Sequence, residues 1–286
     1  MKNIVKTNQG MIEYRIEGPE TGPAMLILNG GHTNCDSLVA NLDLLLSLGY
    51  RVIIPSRPGY GRTPLSTGKT TEEAADAMVA LLDELGIEKA SVMAISAGGR
   101  TALQLAGRHP TRVDKLILQC ALSRDDWLDA KSKVAAYTMF NPVTEGVFWA
   151  IFRVMARAYP TQMLKSMIAN LTTLDVDQVL SHMTAEQQAL ALQFISESRS
   201  GSGFFADIKH RSGDLSRITP PTLIIHSRFD GSNDFSHAEY SAQYIQNAEL
   251  FEVPAESHLM WFGPADTDIE AKLAEFLHEP VPENYT

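Results

Sequence analysis

The sequence predicts an α/β protein: a mostly parallel central sheet flanked by helices, interrupted once by an inserted helical cap. Three observations carry this expectation. Strand-like and helix-like segments alternate along most of the chain, the rhythm of βαβ units wound into a parallel sheet. Several of the strand-like segments are short, continuous apolar runs, as expected of strands covered by helices on both faces. Between about Ser123 and Ser202 the strand signals vanish and helical spacing takes over, which marks an insertion.

Taken in order, Met11–Glu17 alternates apolar and polar residues, so it reads as a half-exposed strand. Ala24–Leu28 (AMLIL) and Arg51–Pro55 (RVIIP) read as buried strands, and Ser37–Leu48 between them as a helix ended by Gly49. Thr71–Leu85 has the marks of a helix: Thr70 or Thr71 as cap, Glu72 and Glu73 in the first turn, and Gly86 at the end. Lys89–Ile95 is a strand, Ala97–Arg108 a helix stopped before Pro110, and Val113–Cys120 a strand. After the insertion come strands at Thr222–His226 and Leu250–Val253 and helices at His237–Gln246 and Ile269–Leu277. The organisation expected is a core domain of residues 1–122 and 203–286 and a cap of residues 123–202. The cap is rich in large apolar side chains, among them Trp127, Phe148, Trp149 and Phe194. Most such side chains hold a helical unit together; some must face the cleft if the insertion covers it.

Composition narrows the function classes. The chain has 286 residues, 44% of them hydrophobic, enough for one large core. A net charge of −10 argues against a nucleic-acid partner, which needs clustered Lys and Arg, and against docking on an anionic membrane. Two cysteines, Cys35 and Cys120, do not make a disulfide framework and form no CxxC pair; they read as free packed thiols. No secretory h-region and no apolar run near the ~18 residues of a membrane span is visible, so a cytoplasmic location is expected. No His pair has HExxH or comparable spacing, so neither metal nor cofactor is expected. A small-molecule substrate is the expected partner, with a homodimer left open.

Chemistry concentrates in Val92-Met93-Ala94-Ile95-Ser96-Ala97-Gly98-Gly99. A strand ends at a serine and a helix begins just after it, with small residues at Ala94, Ala97, Gly98 and Gly99. This small-x-Ser-x-Gly pattern is that of a nucleophile elbow, where a sharp turn lifts the hydroxyl clear of the sheet. Strand and helix pass too closely there for bulky neighbours, and the helix N-terminus favours developing negative charge. The bland alternative is an ordinary helix-capping serine.

With these residues in view, the chain resembles the α/β-hydrolase superfamily, in its serine-nucleophile, esterase-like branch with a helical cap. Leu28-Asn29-Gly30-Gly31-His32 resembles the segment that supplies one oxyanion-hole amide, with Asn29 in place of the usual His. Arg57-Pro58-Gly59-Tyr60-Gly61-Arg62-Thr63 resembles the R-G-x-G-x-S/T loop, and Ser56 stands where an Asp often opens it. Ile224–Asp230 resembles the strand and turn that deliver the acid, and Ser257-His258 the family's Gly-His. The resemblance implies Ser96 as nucleophile, His258 as general base and Asp230 as the carboxylate that orients it, in the family's chain order. Asp125, Asp126 and Asp234 are the rival acids. Of the other histidines, His109 reads as structural, His182 and His210 lie in the insertion and its exit, and His226 and His237 read as packed or hydrogen-bonded residues.

The implied chemistry is acyl transfer to water, with the amides of Gly31 and Ala97 as the oxyanion hole. Asn29, Gly30, His32, Ile95, Trp149 and Trp261 are expected to line the substrate pocket, although Trp261 fits packing under its loop as well. The expected substrate is a small to medium, largely apolar carboxylic ester or lactone. The alternatives are a C–C bond hydrolase or a ligand receptor on the same fold with slow turnover.

Overall fold

The computed structural model describes residues 2–279. Eight strands form one sheet in the order β1-β2-β4-β3-β5-β6-β7-β8. They are β1 (Lys2–Lys6), β2 (Met11–Glu17), β3 (Ala24–Leu28), β4 (Arg51–Pro55), β5 (Ala90–Ile95), β6 (Val113–Gln119), β7 (Thr222–His226) and β8 (Ala248–Glu252). From β3 to β8 every pairing is parallel, whereas β2 pairs antiparallel with both β1 and β4. The sheet is therefore mostly parallel, as the βαβ rhythm predicts.

Eleven α-helices lie among the described residues. Those around the sheet are α1 (Leu42–Ser47), α2 (Thr71–Glu84), α3 (Gly98–Arg108), α10 (Ser236–Tyr244) and α11 (Asp266–His278). Between β6 and β7 stand α4 (Ala130–Met139), α5 (Glu145–Ala158), α6 (Pro160–Ile168), α7 (Val176–His182) and α8 (Ala185–Glu197), with the short α9 (Gly203–Asp207) leading back to the core.

Strand periodicity divides the core in two. On β5, Val92 and Ala94 join the layer packed under α2, α3 and α10, while Met93 and Ile95 join the layer under α1 and α11. On β6 and β7, Leu116, Leu118 and Ile224 face the first layer; Ile117, Leu223 and Ile225 face the second. Successive side chains point to opposite faces, so a continuous apolar run is what a doubly covered strand needs.

The structure differs from the sequence expectation in local ways. β1 was not expected; four of its five residues are exposed, so no buried pattern marks it. Helix α1 begins five residues later than expected because Asn34 Oδ1 accepts from the Asp36 N–H at 2.8 Å and Asn41 sits at φ +55°. Such side-chain turns compete with helix. Of the two candidate caps of α2 it is Thr70 that closes a capping box with Glu73.

Candidate active site

Parallel α/β sheets bind ligands in the crevice at the carboxyl ends of their strands, and there the singled-out residues gather. Ser96 follows the last residue of β5 at φ +51°, a region that costs a non-glycine residue and clusters at functional sites. The turn is held by the Ser96 N–H donating to Gln119 O at 3.1 Å and by the Gly99 and Leu122 N–H groups donating to Ser96 O at 3.0 and 2.9 Å. A Cβ at residue 98 would stand 2.0 Å from the Leu28 carbonyl oxygen. The small residues thus reflect the close pass of β3 and α3.

Asp230 lies in the loop after β7 and His258 in the loop after β8. His258 Nδ1 and Asp230 Oδ2 are 2.7 Å apart, and both residues are buried. The other carboxylate oxygen, Oδ1, accepts from the Ser232 and Asn233 N–H groups, each at 2.8 Å. Burial alone would raise the Asp230 pKa, but the imidazoles of His258 and His226 hold it well below the usual carboxylate range. Burial alone would lower the His258 pKa; the Asp230 carboxylate outweighs this and holds it well above the ordinary imidazole value.

Ser96 and His258 line the same cavity of about 230 Å³. The hydrogen bond between them is not closed; the hydroxyl instead accepts from Asn233 Nδ2 at 3.5 Å. Catalytic hydrogen bonds are often loose before substrate binds. Across the cavity, the N–H groups of Gly31 and Ala97 meet no protein acceptor among the described residues. A side chain at residue 31 would stand 3.0 Å from the Phe204 ring.

Asn29, Gly30, His32, Ile95 and Trp261 all line the cavity. Asn29 is buried and its Nδ2 has no partner. Burial pushes His32 down to about 4, so it is neutral near pH 7, and its Nδ1 lies 2.8 Å from Ser200 Oγ. Trp149, expected at the pocket, does not line it. Its indole N–H donates to Ser200 Oγ at 2.7 Å, and its ring packs behind His32 against Phe140, Phe148 and Phe152. Trp127 and Phe204 line the cavity in its place.

The rival acids lie elsewhere. Asp125 pairs with Arg211 at 2.8 Å, Asp126 with Arg124, and Asp234 accepts from the Ser236 N–H at 3.0 Å. Of the other histidines, His109 pairs with Asp76, His182 with Glu256 and His210 with Asp207. His237 Nδ1 accepts from the Ser123 and Arg124 N–H groups. His226 Nε2 meets the Asn233 carbonyl at 2.8 Å.

Several residues at the site were not foreseen. Cys120, just past β6, is fully buried with its thiol against the His258 ring, and burial pushes that thiol up. Its sulfur, His258 and Asp230 offer donor atoms within 4.8 Å of one another, but the imidazole and carboxylate atoms are committed to each other. Cys35 is buried against Ser56, outside the cavity lining. Arg57 forms a two-pronged pair with Asp207 at 2.7 and 2.9 Å, and Tyr60 donates to the same carboxylate at 2.6 Å. The same guanidinium donates to the Asn29 and Gly30 carbonyls at 2.8 and 2.9 Å, which fixes the loop that presents the Gly31 amide.

Segment 171–173, between α6 and α7, is stitched to the loop after β7 and to the loop after β8. Thr172 bridges Asp230, Thr173 N–H donates to Phe229 O at 3.0 Å, and the Gly231 and His258 N–H groups donate to Leu171 O at 3.1 and 2.7 Å. At the exit of the insertion, Arg199 N–H donates to His32 O at 2.8 Å.

The sequence profile of the α/β-hydrolase fold matches residues 23–264. The chain belongs to the α/β-hydrolase family. It is 34% identical to the hydrolase YcgS of Bacillus subtilis, itself uncharacterized, over 97% of this chain and 99% of that protein. It is 27% identical to a 2-hydroxy-6-oxononadienedioate/2-hydroxy-6-oxononatrienedioate hydrolase of Cupriavidus pinatubonensis, over 79% of this chain and 78% of that one. An α/β-hydrolase fold protein from Nakamurella multipartita superposes with a TM-score of 0.84 at 28% identity, covering 97% of this chain and 99% of the other. Among the described residues, no helix is long and apolar enough to cross a membrane.

Proposed function

We propose that the chain is a serine hydrolase that cleaves a small to medium, uncharged, largely apolar carboxylic ester or lactone through an acyl-enzyme. In this reading His258, oriented by Asp230, takes the proton of Ser96 as its oxygen attacks the carbonyl carbon. The Gly31 and Ala97 amides hold the oxyanion, and the imidazolium returns the proton to the leaving alkoxide. Water, deprotonated by the same imidazole, then releases the acid and regenerates Ser96. Asn29, whose buried Nδ2 has no partner among the described residues, lines the cavity beside the Gly30–Gly31 segment. The inserted helices over the cleft act as a cap.

The observation that carries this choice is the cavity's lining. It is built from side chains such as Leu38, Trp127, Leu171, Phe194, Phe204 and Trp261, and it includes no lysine or arginine. The neighbouring Arg57 is committed to Asp207. A dianionic substrate of the kind named for the Cupriavidus relative would leave its carboxylates buried without a cation, which is costly. Neutral p-nitrophenyl acetate and butyrate should therefore be turned over with a kcat/KM at least about tenfold above that of the matching anionic succinate half-ester. Equal or better turnover of the half-ester would remove the case for a neutral substrate.

The pH profile follows from the His258–Asp230 pair. The imidazole must be neutral to accept the serine proton, and its pKa is raised. Activity should be present above that pKa and lost as pH falls through it, with the acid limb of kcat/KM above the ordinary ~6.5. In Asp230→Asn the limb should move to lower pH. A limb near 4 in the wild type would point to a carboxylate base instead.

A further inference from the structure

Helix α5 turns Trp149 and Ala156 inward and leaves Val147, Ile151 and Val154 64%, 57% and 62% exposed. Spacings of four and three residues place these three, with Ala150 and Ala158, along one stripe of the helix. Val143, 87% exposed, extends the stripe at one end, and the half-exposed Tyr159 closes it at the other. Scattered exposed aliphatics are ordinary, but a contiguous stripe marks an interaction surface.

The charges on α5 itself and on the helix before it are mostly cationic. From Ala130 to Tyr159 the chain carries Lys131, Lys133, Arg153 and Arg157 and one carboxylate, Glu145. Glu145 is buried and held by Arg199 at 2.8 Å. None of the four cations has a carboxylate partner among the described residues. On the helical wheel Arg153 and Arg157 follow one edge of the stripe. The net charge of −10 thus averages over a segregated distribution, with a basic, apolar face on an acidic protein.

We propose that this α5 face docks on the surface of an anionic lipid bilayer. A helix with aliphatics on one side and cations along the edge lies in the plane of the interface, and each cation gains from acidic headgroups. A second copy fits less well. A symmetric face-to-face contact sets Arg153 and Arg157, neither of which has a carboxylate partner among the described residues, against the same two residues of the other copy. The inner side of α5 rests on aromatic rings that reach His32 of the cavity, so docking brings the cavity side of the inserted helices toward a reservoir of apolar acyl groups. The docking reads out as binding, so it stands apart from the proposed chemistry.

The test is co-sedimentation of the full chain with vesicles of phosphatidylcholine alone and of phosphatidylcholine mixed equally with phosphatidylglycerol. Binding is expected to the mixed vesicles, weakening with added salt, and little to the neutral ones. Arg153→Gln with Arg157→Gln should weaken it roughly thirtyfold, at about fivefold per charge. Val147→Ser with Ile151→Ser should weaken it as well, at unchanged melting temperature. Lys69→Gln with Arg217→Gln, on other parts of the surface, should leave it unchanged. Failure to bind mixed vesicles, or binding indifferent to the α5 variants, overturns the proposal. So does a dimer in sedimentation equilibrium that Ile151→Ser dissociates while vesicles go unbound, which would assign the face to a second copy.

Discussion

Replacing Ser96 with alanine should lower kcat toward p-nitrophenyl butyrate by on the order of 10⁶, if the three residues act as a unit. The substitution removes one oxygen from a side chain that faces the cavity and leaves the backbone requirement, φ +51°, as it was. The melting temperature should therefore hardly move, and the loss will report chemistry rather than folding. Labelling by a fluorophosphonate should vanish in the same variant, because the reagent needs the activated hydroxyl. A drop under about tenfold would place the nucleophile elsewhere. Stoichiometric labelling of the wild type with slow release would favour a receptor on the same fold.

Asp230→Asn should cost about 10⁴ in kcat. The exchange is close to isosteric. An asparagine still offers Oδ1 to the Ser232 and Asn233 N–H groups, both now at 2.8 Å, so the loop after β7 keeps its shape. What disappears is the charge facing His258 Nδ1 at 2.7 Å, and with it the control of which ring nitrogen carries the proton. Asp126→Asn and Asp125→Asn should leave kcat within a fewfold of wild type, since those carboxylates face Arg124 and Arg211. A larger loss at residue 126 than at residue 230 would transfer the acid's role.

Much of the fold was legible because it rests on periodicity. The strands from Ala24 onward carry apolar runs that only a doubly covered sheet requires, and the break in rhythm after Ser123 matches the position of α4–α8. The elbow was legible because its small residues answer a steric demand a few residues long. The long-range partners were not. Nothing near Arg57 in sequence names Asp207, 150 residues away. Trp149 shows why an apolar side chain in an insertion is hard to place: one helical turn of phase decides whether it lines a cavity or backs the residue that does. Asn233 had a faint signal, since Asp230-Gly231-Ser232-Asn233 is a turn sequence. Cys120 had only its position one residue past a strand. The overall net charge hid the basic face of α5 because a sum carries no geography.

The seam at Leu171–Thr173 has a mechanical consequence. It joins the inserted helices to the very loops that carry Asp230 and His258, and the Arg199–His32 bond anchors their exit beside Gly30 and Gly31. Any swing of α6–α8 as a whole would strain the bonds that the Gly231 and His258 N–H groups make to Leu171 O. The α4–α5 side meets the core differently, through rings such as Phe140 against His32 and Phe204 rather than through main-chain stitches. The inserted helices and the two loops are thus riveted at one point, so a disturbance on either side of the rivet is felt on the other.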